Sequence, residues 1–339
     1  MKAYSLILLA KTYLNVILVT CFVIFNQGII GAMTGFLITS IFVFLLMAYL
    51  IVKEIGIKIP RFKNMREYLA FGVPTIPGNL SYWIINSSAC YIVSMQLGTA
   101  FVGYYSPGYT LGNINSIFIG PFSVLLSAML ARYYDANDIN SIKNILTYSL
   151  KYFLAIAIPS TIGLALLSKP LLRILSSVEI ANNGYLITPF IALSAMLYGA
   201  FVFFAEILSV NKKTEITGRI WIMAAILNLC LNFVLISQIG IVGAAFAVLI
   251  TYALVLILGI YYSSKFISIE IDPGFIIKSV IASSLMSLVI IYVRPSSISE
   301  ILSTIAACAL FYGIVIMLFG GLGKEEKDFI GSLIKKNRD

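Results

Sequence analysis

The sequence predicts an all-α fold: a polytopic membrane helix bundle of about ten transmembrane helices, a parallel repeat of a six-helix lobe with the first lobe truncated. Three observations predict it. The 339 residues are 60% hydrophobic and 11% charged, with mean hydropathy +1.00, so the chain cannot hide its apolar surface as a soluble globule. Lys and Arg alternate between loaded and nearly empty connections. Residues 28–53 recur ungapped at 240–265 with eleven identities, where composition alone gives about two or three matches.

Taken in order, apolar stretches near the ~20 residues that cross a bilayer lie at 5–26, 29–52, 68–96, 102–131, 148–168, 185–209, 218–237, 241–262, 274–293 and 299–320. The first opens as MKAYSLILLAK, short for a cleaved signal and continuous with a full-length span, so it reads as an uncleaved helix. Pro74 and Pro77 in the third span and Pro121 in the fourth remove backbone hydrogen bonds inside apolar helices. They are hinge candidates, with fixed kinks as the alternative. Three amphipathic stretches, 54–67, 133–147 and 322–338, separate or follow the spans; the last sets Phe329, Ile330 and Leu333 against charge, as an interfacial helix or a solvated tail.

Charge placement fixes the expected orientation. With the N-terminus cytoplasmic, every Lys and Arg of the 23 falls inside except Lys169, Arg173 and Arg294, which places both termini in the cytoplasm of a cell (plasma or inner) membrane protein. The net charge of +9 thus reports topology and attraction to anionic membrane lipids rather than nucleic acid. Cys21, Cys90, Cys230 and Cys308 all fall in apolar spans and read as small hydrophobes rather than bridges.

The repeat extends to Leu14-Asn15, matched with a one-residue shift by Leu227-Asn228, so spans 1–2 pair with spans 7–8. An even offset of six helices makes the copies parallel. Spans 3–8 then form one complete lobe, and spans 1–2 the last third of another lacking its first four helices. The expected division is 1–53, the last two helices of the truncated lobe; 54–67, an amphipathic cytoplasmic linker; 68–265, the complete lobe; 266–320, an appended helix pair; and 321–339, a basic cytoplasmic tail.

The inventory argues against an enzyme. There is no His, the acids form no close pair on an outer loop, and neither GxxxxGK[ST] nor GxSxG occurs, so no metal or cofactor is expected. Polar side chains within the bilayer are stronger leads, because each needs a partner, a cavity or a ligand. Asn79, Tyr82 and Asn86 share one helical face with Ser87 and Ser88 alongside, and Tyr105, Tyr109 and Asn113 form a stripe joined by Asn115. Two readings stand: a cavity wall offering hydroxyls and amides to sugar, or interhelical hydrogen bonds. Asn228 and Asn232 lie on one face, and Leu227-Asn228 has its counterpart at Leu14-Asn15, which favours packing. Glu206, the only acid well inside a span, is the candidate for coupling to a proton or sodium ion, or it reaches the interface near Lys212. Lys11 and Lys151 are snorkelling anchors or contacts for a lipid pyrophosphate.

Several motifs in order carry a family resemblance: FGVPTIPGNLSYWIINSS at 71–88, GYYSPGYTLGN at 103–113, IPSTIGLALLSKPLL at 158–172, and ILNLCLNFVLI at 226–236 followed by GIVGAA. The chain resembles the polysaccharide-biosynthesis, lipid-linked oligosaccharide flippases of the multidrug/oligosaccharidyl-lipid/polysaccharide exporter superfamily. The family often carries an Asp-Arg pair where this sequence has Ala89-Cys90. The resemblance implies two six-helix lobes plus a C-terminal pair, and transport of a lipid-linked glycan between leaflets by alternating access. Its partners would be membrane lipids, the lipid-linked glycan, and a missing N-terminal helix bundle in trans or other polysaccharide-assembly membrane proteins. A non-transporting remnant or scaffold subunit and an ion-coupled small-molecule exporter are the alternatives.

Overall fold

Lipid offers the backbone no hydrogen-bond partner, so long apolar runs close their bonds internally as helices. The computed structural model describes residues 2–56 and 76–320, which are helical apart from short connections. Most of the expected linker 54–67, the tail 322–338 and the hinge candidate Pro74 lie outside the described residues. The chain divides into two units, Met1–Tyr68 and Leu69–Asp339.

The first unit holds α1 (Lys2–Phe22), a π-helical turn (Val23–Gln27) and α2 (Gly28–Ile55). Gly31, Gly35 and Thr39 are buried at successive helical turns of α2, the small-residue spacing that lets two helices approach. A Cβ at Gly35 would lie 3.0 Å from the Val19 backbone of α1. Thr39 closes its hydroxyl on the Gly35 carbonyl at 2.9 Å. Lys11 is exposed on α1.

The second unit contains α3 (Ile76–Leu97), α4 (Thr99–Gly112), a 3-10 segment (Asn113–Phe118), α5 (Ile119–Asp135), α6 (Ile139–Leu175) and a short α7 (Val178–Gly184). It continues with α8 (Ile187–Val210), α9 (Thr214–Ile239), α10 (Ile241–Ser263), α11 (Pro273–Val293) and α12 (Ile298–Leu318). Among the described residues seven helices are long and apolar enough to span a membrane: α2, α6 and α8 through α12. Adding α1, α3 and the α4–α5 passage gives the expected count of about ten.

Two stretches differ from the sequence reading. The fourth span is not one straight helix, because Pro121 lacks an N–H and its ring crowds the carbonyl of Ile117, and the preceding turn tightens to 3-10. The amphipathic stretch 133–147 is not a separate surface element. It breaks at Ala136–Asn137, and α6 then runs 37 residues through the rest of it and the fifth span. Asp138 starts that helix by accepting from the Ser141 N–H at 3.0 Å; the Ser141 hydroxyl, donating at 2.6 Å, and that N–H together hold its carboxyl below the usual carboxylate range.

Helices pack through small residues, since lipid supplies no hydrophobic drive between them. A Cβ at Gly112 of α4 would lie 2.7 Å from the Thr188 carbonyl and 2.8 Å from Ile191 Cβ of α8. Phe153 of α6 packs on Phe203 of α8, ring centroids 5.5 Å apart. The segment between α10 and α11 is tied to α6 by Lys143 to Glu270 at 2.6 Å and by the Glu270 N–H to Thr147 Oγ1 at 3.3 Å. The repeat is visible in the backbone. Gly28 (φ 51, ψ −133) and Gly240 (φ 65, ψ −149) open matching helices in the same conformation, one essentially restricted to glycine. Thr251 back-bonds to Ala247 at 2.7 Å as Thr39 does to Gly35.

Candidate functional site

A cavity of about 470 Å3 opens between α3, α8 and α9. Helical spacing builds its walls: α3 contributes Gly78, Asn79 and Tyr82; α8 contributes Tyr198, Phe201, Val202, Ala205, Glu206 and Ser209; α9 contributes Thr214, Thr217, Gly218 and Trp221. Glycines leave room where α3 meets α9: a Cβ at Gly78 would lie 3.9 Å from the Gly218 Cα, and one at Gly218 would meet nothing within 4 Å. The volume falls in the ~300–1,000 Å3 range of small-molecule sites.

One end of the cavity is aromatic. Tyr82 lies edge-on to Trp221 at 5.4 Å and beside Tyr198 at 5.6 Å, and Phe201 backs Trp221 at 5.6 Å. The other end carries Asn79, Ser209, Thr214, Thr217 and Glu206, the last half-buried four residues before α8 ends. Among the described lining residues Glu206 is the one charged group. The chemistry on offer is stacking on ring faces and hydrogen bonding by amide and hydroxyl groups. A second cavity of about 350 Å3, lined by side chains such as Leu154, Leu193 and Phe204 with Thr161 as its one polar side chain, could not fix the orientation of a polar ligand.

Of the sequence candidates, Asn79, Tyr82 and Glu206 line the cavity. Asn86 sits one turn behind Tyr82, donating to its carbonyl at 2.7 Å, while the Asn86 amide oxygen accepts from Tyr109 at 2.7 Å and Tyr252 at 3.3 Å. Tyr105 is buried beside Tyr109, ring centroids 5.7 Å apart. Ser88 lies elsewhere, in a buried network with Asn228 (3.1 Å) and Asn232 (3.3 Å), extended by Asn228 to Thr251 at 3.1 Å. Asn115 is buried and clamps three elements, donating to Thr161 Oγ1 of α6 at 2.7 Å and to the Ala192 carbonyl of α8 at 3.2 Å. Asn113 is exposed. Pro77 stands in the first described turn of α3 and Pro121 in the first turn of α5. Lys151 Nζ lies 5.3 Å over the Phe275 ring, in a cleft it shares with Glu270 and Asp272.

Sequence reasoning missed Tyr198 and Trp221. The stripe Thr214, Thr217, Gly218 and Trp221, at spacings of three, one and three on α9, is the signal that could have found the α9 wall.

The fold has known counterparts. The solved lipid II flippase MurJ in an inward closed conformation matches with a TM-score of 0.74 at 21% identity, over 91% of this chain and 66% of that one. In sequence, the probable low-salt glycan biosynthesis flippase Agl15 of Haloferax volcanii is 22% identical over 232 residues, 68% of this chain and 49% of its own. The probable lipid II flippase MurJ of Rickettsia prowazekii is 27% identical over 188 residues, 53% of this chain and 37% of its own. The chain spans half or less of the length of these two relatives. The family model for polysaccharide biosynthesis proteins matches residues 1–179, more than half of the sequence. This multi-pass membrane protein therefore belongs to the polysaccharide biosynthesis protein family.

Proposed function

We propose that the protein moves a lipid-linked oligosaccharide across the cell membrane for cell-surface polysaccharide biosynthesis, with the glycan held in the cavity between α3, α8 and α9. The observation that carries this reading is the pairing of Tyr82, Tyr198 and Trp221 with Asn79, Thr214 and Thr217 in one cavity. A sugar has apolar C–H faces and hydroxyl edges, and such a wall meets both. The flippase names of the relatives and the MurJ-like fold agree with it. Both termini face the cytoplasm in this reading, Pro77 and Pro121 serve as hinges of alternating access, and Lys11 and Lys151 meet lipid phosphates.

The test is leaflet transfer of a fluorescent lipid-linked oligosaccharide by the reconstituted chain. Trp221→Ala and Tyr82→Ala should each slow transfer roughly two- to tenfold, the worth of one aromatic contact. Absence of transfer by the unaltered chain, or transfer indifferent to both changes, overturns the reading. A second reading is favoured by the position of Glu206 in the same cavity: an ion-coupled exporter of small molecules. Glu206→Gln distinguishes it, since only there should the ion dependence of transport disappear.

A further inference from the structure

Behind the aromatic end of the cavity lies a group of side chains that no sugar contact explains. The Asn86 amide oxygen accepts from two phenols on different helices, Tyr109 of α4 at 2.7 Å and Tyr252 of α10 at 3.3 Å, while its amide nitrogen is tied to the Tyr82 carbonyl of α3 at 2.7 Å. Asn86 thus joins three helices at one point. Tyr252 is 4% exposed and packs on Tyr198, centroids 5.3 Å apart, and on Trp221 at 6.3 Å, so the joint sits directly against the cavity wall. On the far side, one turn further along α3, Cys90 lies half-buried with its Sγ 4.0 Å from Ser106 Oγ. Beside Tyr109, Tyr105 is 1% exposed and its hydroxyl has no hydrogen-bond partner.

A buried phenol without a partner is costly, and here it adjoins a phenol that is already bonded. Its place next to Tyr109 supplies a second arrangement of the same residues. We infer that Asn86, Tyr109 and Tyr252 form a closable plug between the cavity and the half of the lobe beyond it, with Tyr105 the alternative partner of Tyr109 when the plug opens. In the closed arrangement Tyr109 bonds Asn86 and Tyr105 goes unpaired. In the open one Tyr109 turns to Tyr105, Asn86 is released, and polar contact runs from the cavity toward Cys90. Two packings of one set of side chains, each forming a hydrogen bond the other lacks, give a discrete switch rather than a graded deformation. The device deepens the transport reading and stands apart from the identity of the glycan.

Cys90 is a natural reporter of that opening. In the full chain with Cys21 and Cys230, both exposed, replaced by Ala, a membrane-impermeant maleimide is applied to proteoliposomes from the cavity side, the face at which α3 begins. Cys308, buried in the contact of α11 with α12, remains as the folding control. Tyr252→Phe keeps the ring and removes a bond of the closed arrangement only, whereas Tyr105→Phe removes the bond of the open one only. Tyr252→Phe should raise the rate of Cys90 modification roughly three- to tenfold and Tyr105→Phe should lower it by a similar factor, the population shift from losing one hydrogen bond, with Cys308 still protected. Unchanged Cys90 rates in both variants, or rises shared equally by Cys308, overturn the plug. Because no substrate is added, failure of the plug and failure of the glycan reading are separate results.

Discussion

Single residues in this chain separate backbone requirements from side-chain requirements. Gly240 opens α10 at φ 65 and ψ −149, a region closed to side chains, although nothing lies within 4 Å of a would-be Cβ. Gly313 in α12 is equally open but carries no such backbone constraint. Alanine at 240 should therefore cost about 1–3 kcal/mol of stability, whereas alanine at 313 should gain about 0.5–1 kcal/mol. Thermal unfolding in detergent reads both, and equal shifts would contradict the backbone argument. The buried amides divide in a similar way. Asn228 accepts from Ser88 and Asn232 and donates to Thr251, whereas the Asn232 oxygen has no partner. Asn228→Ala, which removes three hydrogen bonds and leaves the Ser88 hydroxyl without its acceptor at a cost of about 1–3 kcal/mol, should destabilise more than Asn232→Ala, which also removes an unsatisfied atom.

At the scale of elements, the α4–α5 passage shows what packing imposes on local sequence. Gly112 locks α4 onto α8, and Asn115 in the next turn bonds Thr161 and the Ala192 carbonyl, so the 3-10 segment is held by its neighbours as well as by Pro121. Asn115→Ala should cost about 1–3 kcal/mol and speed hydrogen exchange within 113–118, with α9 unaffected. The strap between α10 and α11 responds to acid instead. Its Glu270 carboxyl is held below the ordinary range, about 4.3, by the hydrogen bond and charge of Lys143. A lowered folded value means the contribution is present above the unfolded value and lost as pH falls through the folded one. Unaltered chain and Glu270→Gln should thus differ in melting temperature near neutral pH and converge below about pH 4. The helices themselves were legible in the apolar runs, because a backbone in lipid has few alternatives. Pro121 marked an interruption in the fourth span, but the reach of the 3-10 segment back to Asn113 was not legible, since NINSIF has no local breaker. The cavity was half legible: the polar face of α3 showed Asn79 and Tyr82, while Tyr198 and Trp221 join them only through tertiary packing of α8 and α9. The same packing sent Ser88 and Asn115 into closed hydrogen bonds, which spacing within one helix cannot foretell.

For the molecule as a whole, chain direction and charge lead to one topology. Within the unit Leu69–Asp339 the passages alternate, with α4 and α5 counting as one, so the connections after α5, α8 and α10 share a face and those after α3, α6, α9 and α11 share the other. Arg132, Lys143, Lys212, Lys213, Arg219, Lys265 and Lys278 flank the first set, and Lys169, Arg173 and Arg294 the second. Basic residues are retained on the cytoplasmic side during insertion, so the first set is expected to face the cytoplasm. The turns are suited to labelling: Asn137 and Lys212 occupy left-handed positions at φ 55 and 57, exposed at the tips of their connections. Cysteine placed at either, in a chain lacking Cys21 and Cys230, should react with an impermeant thiol reagent only when the cytoplasmic face is open. Cysteine at Ser177 or Ser296, exposed at the opposite connections, should react in intact cells. Labelling of Asn137 and Ser177 positions from the same side would mean that α6 does not cross, and the parallel six-helix repeat would fall with it.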